Sequence, residues 1–190
     1  MLRASFRPGR DIAELRAYLR CREKHTDYAA AHIQHMQKAL TFMKIQLYNV
    51  TATIAGVTGM RIVREIVASE RDPDRLSAMR DVRCKESLET MRDALVGNYQ
   101  PEHVFALKAL ALYDFYQQCI DQCDVEIERA VAILNIAQPI PEAPLPIAKH
   151  RSKMLSDPNF DVCTAMYQLA GTDLTQIHGI DNCLRFRGFP

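Results

Sequence analysis

Apolar residues recur at alternating intervals of three and four from Ile12 to Ile54, a spacing that keeps them on one face of an α-helix. Neither Pro nor Gly interrupts this stretch, and Asp11 with Glu14 has the spacing of a helix N-cap pair. The pattern predicts one helix about 65 Å long, which needs a partner helix along its length. The seam positions are Ile12, Leu15, Leu19, Arg22, Thr26, Ala29, Ile33, Met36, Leu40, Met43, Leu47, Val50 and Ile54. Arg22 and Thr26 are its weak positions and indicate where the packing partner changes.

A second seam follows Pro101, a residue suited to the first turn of a helix. It again alternates three and four residues. Its positions are Ala106, Ala109, Tyr113, Tyr116, Ile120, Cys123, Ile127, Ala130 and Leu134. Two long heptad helices in one chain predict an antiparallel hairpin, a dimeric coiled coil, or both.

Shorter helices are predicted between the two seams, at about 60–70, 73–80 and 86–96, the second capped by Asp72. After residue 136 the sequence QPIPEAPLP predicts an extended linker. A helix that stops at Gly171 and a further short helix are expected beyond it. The predicted fold is therefore all-α, with a long antiparallel coiled-coil hairpin and short helices inserted at its tip. The predicted segments are a lead-in 1–10, a coiled-coil region 11–136 with an insert 57–100, a Pro-rich linker 137–156 and a small helical segment 157–190.

The charge of the chain is unevenly distributed although its formal net value is only +1. Residues 1–24 carry seven Arg or Lys against three acids, whereas residues 102–134 carry six acids against two bases. The basic segment is expected to face a polyanion, or else the acidic helix. Six scattered cysteines without a CxxC pair indicate a reduced, cytoplasmic protein. No signal peptide and no membrane-spanning run is found in the sequence.

Two glycine turns resemble the helix–hairpin–helix pattern, in which backbone N–H groups at a helix start hold a phosphate. They contain Gly56 and Gly59 in the first copy and Gly179 in the second. The usual second glycine, two positions after the first, is replaced by Thr58 and Asp181. An ordinary helix-terminating turn is the alternative.

The sequence by itself shows no active site and predicts no metal site. His32 and His35 share a helix face, but no Cys or carboxylate at a matching spacing completes a ligand set. The acids Asp121, Asp124, Glu126 and Glu128 fall on several helix faces and are interpreted as solvated charges. Cys119 and Cys123, one turn apart, are interpreted as small buried hydrophobic residues.

Long segments of the chain resemble the middle of DEDD-type insertion-sequence transposases, the family (insertion-sequence family one-hundred-and-ten) that includes the Piv-like DNA invertases. The segments are LRASFRP, YAAAHIQHMQKAL, IAGVTGMRIVREIVASERDP, MRDVRCKES, GNYQPEHVFALKALALYDFYQQCIDQCDVEIE and GTDLTQIHGID. They cover residues 2 to about 182 in order.

The resemblance implies a RuvC-like nuclease domain before the coiled coil, in which four acids hold Mg²⁺, and a transposase domain with a serine nucleophile after it. The acids belong before Met1 and the serine after Pro190, so no catalytic residue and no cofactor is assigned here. The chain is expected to be an inactive fragment whose residues 157–190 are a truncated start of the transposase domain. The alternative is a helical interaction protein that dimerises with, or regulates, intact transposase.

The partners implied are DNA, a guide RNA of the element, and further copies of this chain or full-length transposase. The candidate nucleic-acid contacts are the basic segment and the glycine turns: Arg3, Arg7, Arg10, Arg16, Arg20, Gly56, Gly59 and Gly179. Arginine suits this role because its guanidinium can donate two parallel hydrogen bonds to one phosphate. A third possibility is a nucleic-acid-binding helical module that uses the same residues.

Overall fold

All regular elements in the described part of the chain are α-helices, as the sequence predicts. The structure, a computed structural model, describes residues 9–136, 138 and 157–172. The helices are α1 (Arg10–Phe42), α2 (Leu47–Val50), α3 (Val57–Val67), α4 (Pro73–Ala78), α5 (Leu88–Ala94), α6 (Pro101–Ala106), α7 (Ala109–Ile136) and α8 (Val162–Ala170). The predicted linker 137–156 lies outside the described residues apart from Gln138.

The chain divides into two compact units, which are described separately. One, called here the terminal unit, takes the described residues of Met1–Thr26 and Gln117–Pro190. The other, the middle unit, is Asp27–Tyr116. Both long helices, α1 and α7, contribute residues to each unit.

Helix α1 begins and ends differently from the prediction. The Gly9 carbonyl accepts the first helical hydrogen bond, from the Ala13 N–H, so Asp11 lies in the first turn and is not the N-cap. The predicted continuous helix to Ile54 is wrong, because α1 ends at Phe42. Lys44 is left-handed (φ 60°), and the Ile45 and Lys44 N–H groups donate to the carbonyls of Leu40 and Thr41.

These two hydrogen bonds are those of a Schellman motif, which terminates a helix and satisfies its last carbonyls. The apolar contact that usually accompanies the motif is also possible here, because Leu40 and Ile45 are both buried. The left-handed residue in this motif is usually Gly, and here it is Lys44. The sequence therefore contains no Gly or Pro that would have indicated this turn.

The seam positions are buried as the heptad pattern predicts, including those that follow the end of α1. Every position of the first seam is buried or half-buried, including Met43, Leu47, Val50 and Ile54. In the second seam only Ala106, which belongs to α6, is exposed. The second seam is divided between two helices. Ala106 is the last residue of α6, which begins at Pro101, and the other seam positions lie in α7, which begins at Ala109. The coiled-coil hairpin itself stays a prediction.

The terminal unit is built around α8 and its segments of α1 and α7. A buried cluster contains Leu15 from α1 and Met166 from α8, and four further members are Cys123, Ile127, Val131 and Val162. The Asp161 side chain accepts a hydrogen bond from the Thr164 N–H and caps α8 at its start. The predicted stop at Gly171 is confirmed, since this residue is left-handed at the helix C-terminus.

The middle unit contains the short helices α2 to α6. Helix α4 has the predicted Asp72 cap, whose carboxylate accepts from the Asp74 N–H, and Pro73 in its first turn. Helix α5 is capped by Ser87, which accepts from the Thr90 N–H. Backbone hydrogen bonds from Gln46 to Ala94 and from Asn98 to Met43 tie α5 to the segment after α1.

Among the described helices, none combines the length and the apolar character needed to cross a bilayer.

Candidate functional site

The predicted arginine contacts fall at the start of the terminal unit. Arg3 and Arg7 lie outside the described residues. Arg10 is the first residue of α1 and is exposed, and Arg20 is exposed further along the same helix. Neither Arg10 nor Arg20 forms an ion pair with another described residue. Arg16 is half-buried and already interacts with another group, so it is less accessible to a ligand than Arg20.

The predicted glycine contacts belong to the middle unit, except Gly179, which lies outside the described residues. Gly56 is the N-cap of α3 with extended backbone (φ −73°, ψ 169°), and no side chain caps this helix. Gly59 lies inside α3, where an added Cβ would stand 2.3 Å from the Ile54 carbonyl oxygen. Neither glycine is left-handed, so the alternative of a helix-terminating turn at Gly56 is wrong: this glycine begins a helix.

A cleft of about 480 Å³ lies beside the start of α3 and is lined by Gly56, Thr58, Arg83 and Lys85 among others. The Thr58 hydroxyl accepts from the Asp81 N–H at 2.9 Å. The Asp81 carboxylate in turn accepts from Nε (2.8 Å) and the backbone N–H (3.0 Å) of Arg83. These hydrogen bonds from Arg83 lower the pKa of Asp81. The charge of Arg83 is thus offset inside the cleft, while Lys85 is exposed at its edge.

The acids of α7 do not all remain solvated. Asp124 is buried and accepts from Arg22 Nε at 2.5 Å, and its other oxygen accepts from the Asn159 N–H at 3.0 Å. Asp121 accepts from the Asn159 side-chain amide at 2.6 Å. The interpretation of Asp124 as a solvated charge is therefore wrong, because this acid holds together segments of the terminal unit.

The histidine pair of α1 is part of an aromatic group. The His32 ring stacks on Tyr116 at a centroid distance of 5.6 Å. The His35 ring contacts the His32 ring edge-on, at a centroid distance of 5.9 Å. Tyr116 also contacts Tyr28 at 5.2 Å. These contacts place His32 and His35 in an aromatic group of the middle unit.

A cluster of Cys21, His25 and Cys123 in the terminal unit was missed by the sequence reasoning. The two sulfur atoms and a ring nitrogen of His25 all lie within 4.8 Å of one another. Burial, together with the hydrogen bond to Cys21, raises the pKa of the Cys123 thiol to about 12. Two of the three members could have been found from the sequence, since Cys21 and His25 are four residues apart on α1 and so share a helix face. The third member comes from α7, and no local spacing connects it to the other two.

Comparisons with protein-family models, with curated proteins and with solved structures found no match to this chain.

Proposed function

We propose that this chain is a non-catalytic helical scaffold of a DEDD-type insertion-sequence transposase, and that it binds nucleic acid through the first turns of α1. The observation that carries the proposal is the exposure of Arg10 and Arg20 on that helix, with no carboxylate partner among the described residues. Exposed guanidinium groups on a rigid helix are suited to phosphate, which accepts their parallel hydrogen bonds.

The transposase part of the proposal rests on the sequence segments that resemble the family. The all-helical architecture agrees with the coiled-coil region that the resemblance implies. The long seams support a scaffold role, because a helix of 33 residues and one of 28 residues can space other parts of an assembly over roughly 40–50 Å.

The absence of catalysis is proposed from the residues themselves. No position of this sequence matches the family's four acids or its serine. Asp124, which is buried, accepts hydrogen bonds from Arg22 and Asn159, and the exposed Asp121 accepts one from Asn159. We therefore expect the purified chain neither to cleave nor to join DNA when Mg²⁺ is supplied.

The nucleic-acid interaction is expected to be weak and sensitive to salt. Residues 1–24 have an excess of four positive charges, but Arg22 is buried against Asp124, so about three charges are left for phosphate contacts. This corresponds to a log–log salt slope of about −3 and micromolar affinity. The ligand class is structured RNA or duplex DNA, because the resemblance places this segment beside the nuclease domain.

The test is a salt titration of binding to structured RNA and to duplex DNA. The full chain is compared with Arg10→Gln/Arg20→Gln and with the stronger variant that also changes Arg3, Arg7 and Arg16. A matched control is Arg75→Gln/Arg92→Gln, which removes the same charge from exposed arginines that are already ion-paired in the middle unit.

The expected result is weaker binding and a shallower salt slope for Arg10→Gln/Arg20→Gln, by about two units, with the control close to the parent chain. Equal slopes for the parent and the Arg10→Gln/Arg20→Gln variant would overturn the assignment of the contact surface to α1.

The alternative function, a helical protein that associates with itself or with intact transposase, is favoured by a separate observation. Phe105, Leu112 and Phe115 of the middle unit are large apolar residues with at least half of their surface exposed. Leu112 and Phe115 are three residues apart on α7 and so share a helix face, and contiguous exposed apolar surface is typical of protein contacts.

A further inference from the structure

We infer that Cys21, His25 and Cys123 form a binding site for a thiophilic divalent metal ion, Zn²⁺, within the terminal unit. The inference is independent of the proposed nucleic-acid function, because none of the three residues belongs to the basic contact surface. It starts from the position of three ligand-type side chains on two different helices.

The distances suit tetrahedral coordination. Zinc–sulfur bonds of about 2.3 Å and zinc–nitrogen bonds of about 2.0–2.1 Å place neighbouring ligand atoms roughly 3.5–3.8 Å apart. In this protein Cys21 Sγ lies 3.2 Å from His25 Nε2, and the three ligand atoms are all within 4.8 Å of one another. Small side-chain adjustments are therefore enough to surround an ion.

The donor atoms select the metal. Two thiolates and one imidazole are poor ligands for Mg²⁺ or Ca²⁺, which prefer oxygen, whereas zinc binds sulfur and nitrogen equally well. Binding of Zn²⁺ displaces the protons of the two thiols to solvent. The two thiolates that result neutralise the charge of the ion, which matters because Cys123 is buried. Three protein ligands leave a fourth position for water, and Cys21 is exposed, so the ion can enter from solvent.

The surroundings hold the ligands in place. The next residues along each helix, Arg22 and Asp124, form a buried ion pair between α1 and α7. Cys123 belongs to the apolar cluster of the terminal unit. The backbone positions that carry Cys21 and Cys123 are thus fixed before any metal binds, which lowers the cost of organising the site.

The consequence of metal binding is a cross-link between α1 and α7. Zinc that binds the folded chain more tightly than the unfolded chain stabilises the folded state by mass action. The main competing chemistry is a disulfide between Cys21 and Cys123, both of which are free thiols in this structure.

The experiment uses the full chain, purified with reductant and stripped of metal by a chelator. Zn²⁺ alone is then added in competition with a chromogenic zinc indicator, and the bound metal is counted by elemental analysis. Co²⁺ is used as a second probe, because thiolate ligands give it a charge-transfer absorption. The variants are Cys21→Ser and His25→Asn, and the matched control is Cys84→Ser in the middle unit, which lies outside the cluster.

We expect one Zn²⁺ per chain, an affinity reduced roughly tenfold or more in Cys21→Ser and His25→Asn, and no change in Cys84→Ser. Thermal unfolding should shift upward with Zn²⁺ in the parent chain and not in Cys21→Ser. Cys21 is exposed, so its replacement by Ser leaves the core intact, and this variant decides the test.

Substoichiometric zinc in the reduced parent chain would overturn the site, as would equal affinity in the parent and Cys21→Ser. The same conclusion would follow if thiol counting found Cys21 and Cys123 joined in a disulfide while the reduced chain took up no metal.

Discussion

Arg22 occupies a heptad position that normally carries an apolar residue, and its guanidinium is buried against Asp124. The two side chains are only 9% and 3% exposed, and Arg22 Nε lies 2.5 Å from Asp124 Oδ1. The second carboxylate oxygen is satisfied by the Asn159 N–H. A buried charge that is fully compensated in this way is costly to separate from its partner, because neither group can recover its hydration inside the protein.

We therefore predict that Asp124→Ala lowers the free energy of unfolding by about 3–5 kcal/mol, since it breaks a buried ion pair. The control is Asp114→Ala, which removes the partner of Arg64 in an exposed pair and should cost about 0–1 kcal/mol. Urea denaturation of both variants gives the comparison. Replacing both partners, as Arg22→Met/Asp124→Leu, should recover part of the loss. Similar losses for the two single variants would contradict the prediction.

At the residue scale the sequence indicated that Arg22 is an unusual seam residue, but it did not indicate which residue Arg22 contacts. The heptad pattern marked Arg22 and Thr26 as weak positions, and Arg22 is indeed buried there. Its partner Asp124 lies 102 residues away, and no periodicity connects the two. The Cys21–His25 pair could be noticed by its spacing, whereas Cys123 enters the cluster only through the packing of α1 and α7 within the terminal unit.

At the element scale the pattern predicts which positions are buried more reliably than where a helix ends. Met43, Leu47, Val50 and Ile54 are buried as the seam requires, yet the chain leaves the helix after Phe42. The break is made by a left-handed Lys44, which costs about 1–2 kcal/mol locally and persists because the surrounding contacts hold it. The caps at Asp72 and Gly171 were confirmed, whereas the cap pair of Asp11 and Glu14 was not, because α1 begins two residues earlier, after Gly9.

We predict that charges introduced on the seam of α7 destabilise the protein and that charges on its outer face do not. Ile120 is 7% exposed and Val125 is 62% exposed, and both belong to the terminal unit. Ile120→Glu should therefore lower the free energy of unfolding by about 3 kcal/mol or more, because it buries an unpaired carboxylate. Val125→Glu should stay within about 0.5 kcal/mol of the parent.

The corresponding seam variants near the end of α1, Leu40→Glu and Leu47→Glu, are expected to behave like Ile120→Glu, since both positions are buried. Thermal denaturation followed by circular dichroism provides the measurement. If Ile120→Glu and Val125→Glu had the same melting temperature, the seam would not be the packed face of α7.

At the scale of the whole molecule, the all-helical class follows from periodicity, but the division into units does not. The sequence groups 11–136 as one helical region because both seams lie in it. The described residues of 1–26 and 117–190 form one unit, and its buried cluster brings together residues far apart in the chain, among them Leu15, Ile127 and Met166. Such contacts depend on three-dimensional packing, which a pattern of apolar positions does not specify.

We predict that the full chain self-associates at tens of micromolar, and that the exposed apolar residues Leu112 and Phe115 contribute to the contact. They are three residues apart on α7 and therefore lie on neighbouring positions of one helix face. Leu112→Ser/Phe115→Ser should shift sedimentation toward the monomer. Val82→Ser, at a fully exposed position outside the helices, is the control and should sediment like the parent.

A strictly monomeric parent chain in the same sedimentation experiment would rule out the dimeric coiled coil. Only the intramolecular hairpin would then remain for the two seams.

The buried pair of Arg22 and Asp124 also affects how α1 is aligned along α7 in the terminal unit. A seam that repeats every heptad matches its partner nearly as well after a slip by one heptad, so apolar contacts alone define the alignment of two such helices poorly. A slip of α1 along α7 in the terminal unit would separate Arg22 from Asp124, whereas the native alignment pairs them. We therefore expect the pair to favour one alignment over others that the apolar residues would accept, and we expect a chain with Arg22→Met/Asp124→Leu to populate more than one.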